Sequence, residues 1–199
     1  MNSNDFDFFK KDYLLENERV RLEPLLEEHY QLLLPISMHK ELWEFTGAYV
    51  MSEKDFRKYF DEALYEKDKG LSYPYAIFDK KAMRYGGCTR YGNISFSNKR
   101  VEIGWTWYDP ALQRSGLNKN CKFLLLSYGF DVLHLNRIEL KTSHLNLKSQ
   151  GAMLKLGAVK EGVLRRHWIN ENGVIRDTVY FSFIKEEWEN TKKKYFQEF

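Results

Sequence analysis

The chain has 199 residues, 43% hydrophobic, 16% aromatic and 30% charged, with 31 Lys+Arg against 28 Asp+Glu for a formal net charge of +3. That length can bury a full core without disulfides, and the aromatic load excludes a disordered chain. Charge this near balance, with no dense basic stripe on any helix, argues against a nucleic-acid partner.

Residues 1–11 read as a loosely held leader; they are acidic and mixed, not the basic-then-apolar run of a secretory signal. Residues 12–199 read as a single domain, because no linker, repeat or low-complexity tract interrupts them. A strand signal at 20–23 stops at Pro24, and 25–34 is expected to be helical with Leu25, Leu26, Leu32 and Leu33 on one face. Ser52 opens a second helix, its hydroxyl three residues before Asp55 in a pattern close to a capping box. That helix would bury Phe56, Tyr59, Phe60, Ala63 and Leu64. Strands follow at 73–78, 86–91 and 100–108, the last stopped by Asp109-Pro110. Residues 117–133 read as a helix with Cys121, Leu124, Leu125, Tyr128 and Val132 on one face. A strand at 137–143, a helix at 145–156 stopped by Gly157, and strands at 159–166 and 174–184 around a turn at 170–173 complete the series.

This order predicts a mixed α/β (α+β) chain, with the helix between 100–108 and 137–143 making a parallel crossover at the sheet centre. The most apolar stretch, 123–135, is broken by Ser127, Gly129, Asp131 and His134, so no membrane span is expected. Cys88 and Cys121 stand apart from each other and from any His cluster, which predicts neither a metal site nor a disulfide framework. A soluble, cytoplasmic protein is the expectation.

The chemistry concentrates in one strand–loop–helix segment, Val101-Glu102-Ile103-Gly104-Trp105-Thr106-Trp107 followed by Gln113-Arg114-Ser115-Gly116-Leu117-Asn118-Lys119. Free N–H groups at a helix start favour an anion, Gly116 allows close backbone approach, and Arg114 and Lys119 add positive charge. An ordinary connection would also contain such a glycine. Gly104 inside a strand suggests a bulge or a close ligand approach. Strict alternation would set Glu102, Gly104 and Thr106 on one face and Val101, Ile103 and Trp105 on the other.

Residues 113–118 resemble the Q/R-x-x-G-x-G/A pyrophosphate loop of the GNAT N-acetyltransferases, with Asn118 at the last small position, and 101–105 resemble the strand that precedes it. Asn146-Leu147-Lys148-Ser149 and residues 155–162, KLGAVKEG, are similar to elements of the family's RimJ/RimL-like branch. The resemblance runs in matching order over about 19–188. It implies a mainly antiparallel central sheet with one parallel strand–helix–strand crossover and flanking helices. It also implies acetyl transfer from acetyl-CoA, without a metal, to a primary amine by direct attack in a ternary complex. The acceptor could be a ribosomal or other protein N-terminus or a small amine, and homodimers are common in the family. A non-catalytic acyl-CoA sensor or interaction module on the same fold is the alternative.

The resemblance assigns cofactor contacts to Trp105, Thr106 and Trp107, to Gln113, Arg114, Ser115, Gly116, Leu117, Asn118 and Lys119, and to Asn146 and Ser149. Ser149 would also serve the leaving thiolate, a task that one of the tyrosines could fill instead, and Asn146 could equally be a helix cap. For the base, Glu102 stands first, since a carboxylate among apolar strand residues needs a partner or a task. Its alternative is a salt bridge to Arg90 or Arg100. His167 stands second, on the ordinary titration range of histidine, with a surface or packed role as its alternative. Trp43, Phe45, Tyr49, Phe56 and Tyr59 would wall the acceptor slot, and Arg176 and Asp177 would either orient substrate or pair locally, the local pair being the leading reading.

Overall fold

The computed structural model describes residues 13–199, so the expected leader at 1–11 lies outside the described residues. Its strands are β1 (Leu15–Glu16), β2 (Val20–Pro24), β3 (Tyr73–Asp79), β4 (Arg84–Ser95), β5 (Arg100–Tyr108), β6 (Arg137–Ser143), β7 (Val159–Ile169) and β8 (Ile175–Ile184). Its helices are α1 (His29–Ser37), α2 (Glu53–Asp68), α3 (Leu117–Ser127), α4 (Leu147–Lys155) and α5 (Trp188–Tyr195). The strands form one mixed sheet in the order β1-β2-β3-β4-β5-β6-β8-β7. Every neighbouring pair is antiparallel except β5 and β6, which are parallel with α3 as their crossover.

Apolar residues fill both faces. Against α1 and α2 the core holds Leu33, Phe56, Phe60, Ala76, Cys88 and Trp107. Against α3 and α5 it holds Val101, Ile103, Cys121, Leu125, Ile138, Phe181 and Trp188. Both cysteines are free and buried. Among the described residues no helix is long and apolar enough to cross a membrane.

Local signals set several boundaries. The Ser52 hydroxyl oxygen accepts the Asp55 N–H at 3.2 Å, while Asp55 accepts the Met51 N–H at 3.1 Å, a reciprocal cap that starts α2. After α4, Gly157 takes φ +89°, and a Cβ there would lie 2.5 Å from the Tyr195 ring.

Two helices differ from expectation. His29 Nδ1 accepts the Leu26 N–H at 3.0 Å, so the chain turns before α1 begins and Leu26 and Leu32 are left 41% and 49% exposed. The helix expected over 117–133 ends at Ser127 and continues as a π-helical turn, Tyr128–Val132, with Val132 exposed.

Candidate active site

Only three residue pairs join β5 to β6: Arg100 with Arg137, Val101 with Ile138, and Glu102 with Glu139. Beyond Glu102, β5 stays with β4 while β6 follows β8 as far as Ser143 opposite Thr178. A cleft therefore opens between β5 and β6, with its vertex at Glu102.

A bulge in β5 accompanies the opening. Cys88 pairs with Trp107 and Arg90 with Gly104, so Trp105 and Thr106 together face the single residue Thr89. Trp105 takes φ +49°. Such a bulge bends its strand and leaves a residue outside the ladder. The Thr106 hydroxyl spans it, 3.2 Å from the Gly104 carbonyl and 2.7 Å from Thr89 Oγ1, and accepts a hydrogen bond from Lys122 Nζ at 2.9 Å. Lys122 is buried, and burial lowers its pKa to about 8.

The bulge overturns the expected alternation. The Trp105 ring lies over Gly92, the partner of Glu102, so closely that a Cβ on Gly92 would come within 2.4 Å of it. Trp105 thus shares the Glu102 and Gly104 face, and Thr106 turns toward α3. Trp107 is buried beside Trp43 and Phe56, with Nε1 donating to the Tyr59 hydroxyl at 3.3 Å. Trp43 and Phe56 are consequently core, not slot walls, whereas Tyr49 is 47% exposed.

At the far end of β5 the loop enters α3 through Gly116, at φ +89°. A Cβ on Gly116 would meet nothing within 4 Å, so the loop faces open space. Arg114 also takes a positive φ, +61°. The first intrahelical bond is Asn120 N–H to the Gly116 carbonyl at 3.2 Å, which leaves the N–H groups of Leu117, Asn118 and Lys119 without helical acceptors. Of these, Leu117 N–H makes a long contact of 3.4 Å to Ser115 Oγ. Asn118 Oδ1 accepts the Tyr108 hydroxyl at 3.1 Å, which holds that side chain against β5. Burial raises the pKa of Tyr108 well above the ordinary range, so it stays a neutral donor.

Lys119 departs from its expected role. Its ammonium lies 2.5 Å from Glu198 and stacks near Phe196. Arg19, which sequence reasoning passed over, places Nη2 3.2 Å from Ser115 Oγ while Asp79 holds its other arm. Asn146 is the N-cap of α4, accepting the Ser149 N–H at 3.0 Å. Lys148, inside the same recognised element, donates to Gln113 Oε1, and Gln113 Nε2 donates to the Tyr108 carbonyl at 3.2 Å. The first turn of α4, with Asn146 and Ser149 half-buried, thus meets the α3 loop across the top of the cleft.

At the vertex, Glu102 is 3% exposed. Its Oε2 accepts from Asn93 Nδ2 at 2.6 Å and pairs with Lys141 Nζ at 2.9 Å, so neither Arg90 nor Arg100 is its salt-bridge partner. Arg90 bonds Glu66 and Arg100 bonds Glu139. Glu102 Oε1 lies over Gly104, where a Cβ would come within 2.9 Å. Lys141 Nζ also sits 5.3 Å from the centre of the Trp168 ring. Period-two alternation along 137–143 could have placed Lys141 beside the cleft.

His167 lies exposed in an irregular part of β7, its ring 5.7 Å from that of Tyr180, which is the cross-strand partner of Lys141. Arg176 and Asp177 do not pair with each other. Asp177 accepts the Arg166 N–H at 2.8 Å, while Arg176 Nε donates to Asn170 Oδ1 at 3.0 Å. Among the described residues no group of three or more His, Cys, Asp or Glu is placed to hold a metal ion.

An open strand pair, a bulge at its mouth and a glycine-started helix with free N–H groups fit an elongated ligand ending in phosphates. The family model described as an acetyltransferase (GNAT) domain matches residues 19–159. The chain belongs to the GNAT acetyltransferases.

Among GNAT relatives, YdaF of Bacillus subtilis (strain 168), provisionally named a ribosomal N-acetyltransferase, is 32% identical over 100 residues. That match takes in 50% of this chain, and the chain spans about half of YdaF, 54%. YoaA of the same organism, named an uncharacterized N-acetyltransferase, is 26% identical over 175 residues, 86% of this chain and 97% of its own. The crystal structure of a GCN5-related N-acetyltransferase from Brucella melitensis superposes with a TM-score of 0.86 at 26% identity, covering 94% of this chain and 85% of that one. RimL, titled a ribosomal L7/L12 alpha-N-protein acetyltransferase, shares the fold at TM-score 0.77 and 19% identity, over 87% of this chain and 94% of its own. The RimJ/RimL-like GNAT fold expected from the sequence is therefore the one observed.

Proposed function

We propose that this GNAT acetyltransferase moves an acetyl group from acetyl-CoA to a primary amine by direct attack in a ternary complex. The observation that carries the reading is the cleft between β5 and β6, which has an anion-ready helix start at one end and a buried carboxylate at its vertex.

The N–H groups of Ser115 to Lys119 hold the pyrophosphate, with Arg114 and Arg19 supplying positive charge. Lys119, paired with Glu198, contributes its main chain. The bulged stretch Trp105–Trp107 offers main-chain N–H to the thioester carbonyl, and the side-chain amide of Asn146 serves the pantetheine arm. Gln113, held by Lys148, borders the entrance.

An attacking amine must first be neutral, and an ordinary α-amino group is mostly protonated at pH 7. Glu102 takes that proton, directly or through water, by way of Oε1; Asn93 and Lys141 occupy Oε2. The amine nitrogen then bonds the acetyl carbon, the carbon–sulfur bond breaks, and the proton the nitrogen sheds as the amide forms passes by way of the Ser149 hydroxyl to the departing thiolate. His167, exposed at the rim, stands second as base.

The name of YdaF supports a ribosomal acceptor, and a protein N-terminus, ribosomal or other, is the acceptor class we assign. Calorimetry with acetyl-CoA followed by thiol-release assays on amines and peptides tests the proposal. Binding with amine-dependent thiol release is expected. Binding without turnover on any amine would point back to a sensor.

A further inference from the structure

Arg176 and Thr178 lie two residues apart on β8, on the face opposite Val179 and Phe181, which enter the core under α3. Thr178 is 1% exposed, and its Oγ1 has no hydrogen-bond partner among the described residues. Arg176 Nη1 is also buried and unpartnered, and no carboxylate pairs with that guanidinium among the described residues. Its one side-chain bond goes from Nε to Asn170.

Buried polar atoms are nearly always paired, and the half-buried Arg176 has no counter-ion among the described residues. Two orphans on one short stretch therefore call for a shared occupant. Asp177, between them in sequence, is turned away to the Arg166 N–H.

The location names the occupant's route. Arg176 is the direct cross-strand partner of Trp168, whose ring lies 5.3 Å from Lys141 Nζ, and Lys141 is bound to Glu102. The Trp168 ring and Lys141 thus lie, in that order, between Arg176 and the vertex carboxylate. The loop bearing Gly47 covers Trp168: a Cβ on Gly47 would come within 2.8 Å of Trp168 Nε1. Glu171, in the β7–β8 turn, accepts the Tyr49 N–H at 2.8 Å and anchors that cover.

We propose that Arg176 and Thr178 form an anion subsite for the acceptor, so that the preferred amine carries a carboxylate close to the reacting nitrogen. The inference rests on the acetyl-transfer reading for its choice of ligand. A guanidinium offers a planar fork matched to a carboxylate, and the threonine hydroxyl supplies a further donor. The carboxylate could be that of a free amino acid or an acidic side chain next to a peptide N-terminus.

The test uses the full chain and paired amines: L-serine with L-serinamide, and the peptide amides Ala-Asp-Ala and Ala-Asn-Ala, with putrescine as the carboxylate-free control. Binding is measured by calorimetry with CoA present, and kcat/KM by thiol release. The carboxylate member of at least one pair should be favoured roughly 10- to 100-fold, through KM. Which pair shows the preference identifies the source. Arg176→Gln should abolish it with acetyl-CoA affinity and melting temperature kept, and Arg176→Lys should retain part of it. Equal binding within both pairs, a preference that survives in Arg176→Gln, or putrescine as the best ligand would overturn the subsite. Carboxylate-selective binding without thiol release would uphold the subsite and count against acetyl transfer instead.

Discussion

Glu102 Oε2 lies 2.9 Å from Lys141 Nζ, an ion pair that joins the last paired residue of β5 to a residue of β6 just beyond the paired stretch. Both side chains are largely shielded, at 4% and 15% exposed. The lysine compensates a carboxylate that the vertex would otherwise bury alone, and it ties the two strands where the ladder ends.

Removing one partner of a buried pair strands the other. Lys141→Met should lower unfolding stability by about 3–5 kcal/mol. Adding Glu102→Gln should recover part of that loss, because no charge remains to be compensated. Urea denaturation of the two single variants and the double variant measures this coupling. Additive losses would show that the pair carries no energy.

Glu102→Gln keeps the shape of the side chain and removes its basicity. It should lower kcat by roughly 10²–10⁴. Acetyl-CoA affinity should be unchanged, since the phosphate loop lies at the other end of β5. Wild-type turnover in steady-state thiol release would move the base to His167 or to a water chain.

Gly116 has room for a side chain but the wrong backbone for one, with φ +89° and no atom within 4 Å of an added Cβ. Gly116→Val should cost about 1–2 kcal/mol of stability through that backbone strain. Its side chain would stand in the open space before the α3 N–H groups, so acetyl-CoA affinity should fall at least about 10-fold, a loss of about 1.4 kcal/mol. Calorimetry separates the two effects, and unchanged affinity would remove the loop from the phosphate site.

Lys122 gives a pH signature. Burial lowers its pKa from the ordinary 10.5 to about 8. Between those values the unfolded chain holds the proton and the folded chain does not, so this group makes stability rise with pH. Cys88 and Cys121 are pushed up from 9 to about 11 and about 12, which makes stability fall above pH 9. The clean window is pH 8 to 9. There the wild type should gain about 1 kcal/mol relative to Lys122→Met in urea denaturation. A flat difference would mean that Lys122 does not titrate in that window.

Much of this architecture was legible in the chain. The parallel crossover followed from a strand at 100–108, a helix opened by Gly116 and a strand at 137–143. Ser52 and Gly157 marked helix ends because caps and left-handed stops depend on local chemistry. Gly104 suggested a bulge or a close ligand approach, yet strict alternation put Trp105 and Thr106 on the wrong faces, because one extra residue in a strand reverses the parity of everything after it. Lys141 as partner of Glu102, and Arg19 beside Ser115, depend on strand neighbours distant in sequence. So did the burial of Trp43, whose aromatic character suited a slot and a core equally well, whereas Phe56 was already expected on the buried face of its helix.

The most direct test of the account is thiol release from acetyl-CoA with and without a primary amine, followed by intact-protein mass measurement. Direct attack within the cleft predicts thiol release only when amine is present, an acetylated amine as product and no change in protein mass with acetyl-CoA alone. Stoichiometric thiol release without amine, with an acetyl group left on the protein, would contradict it.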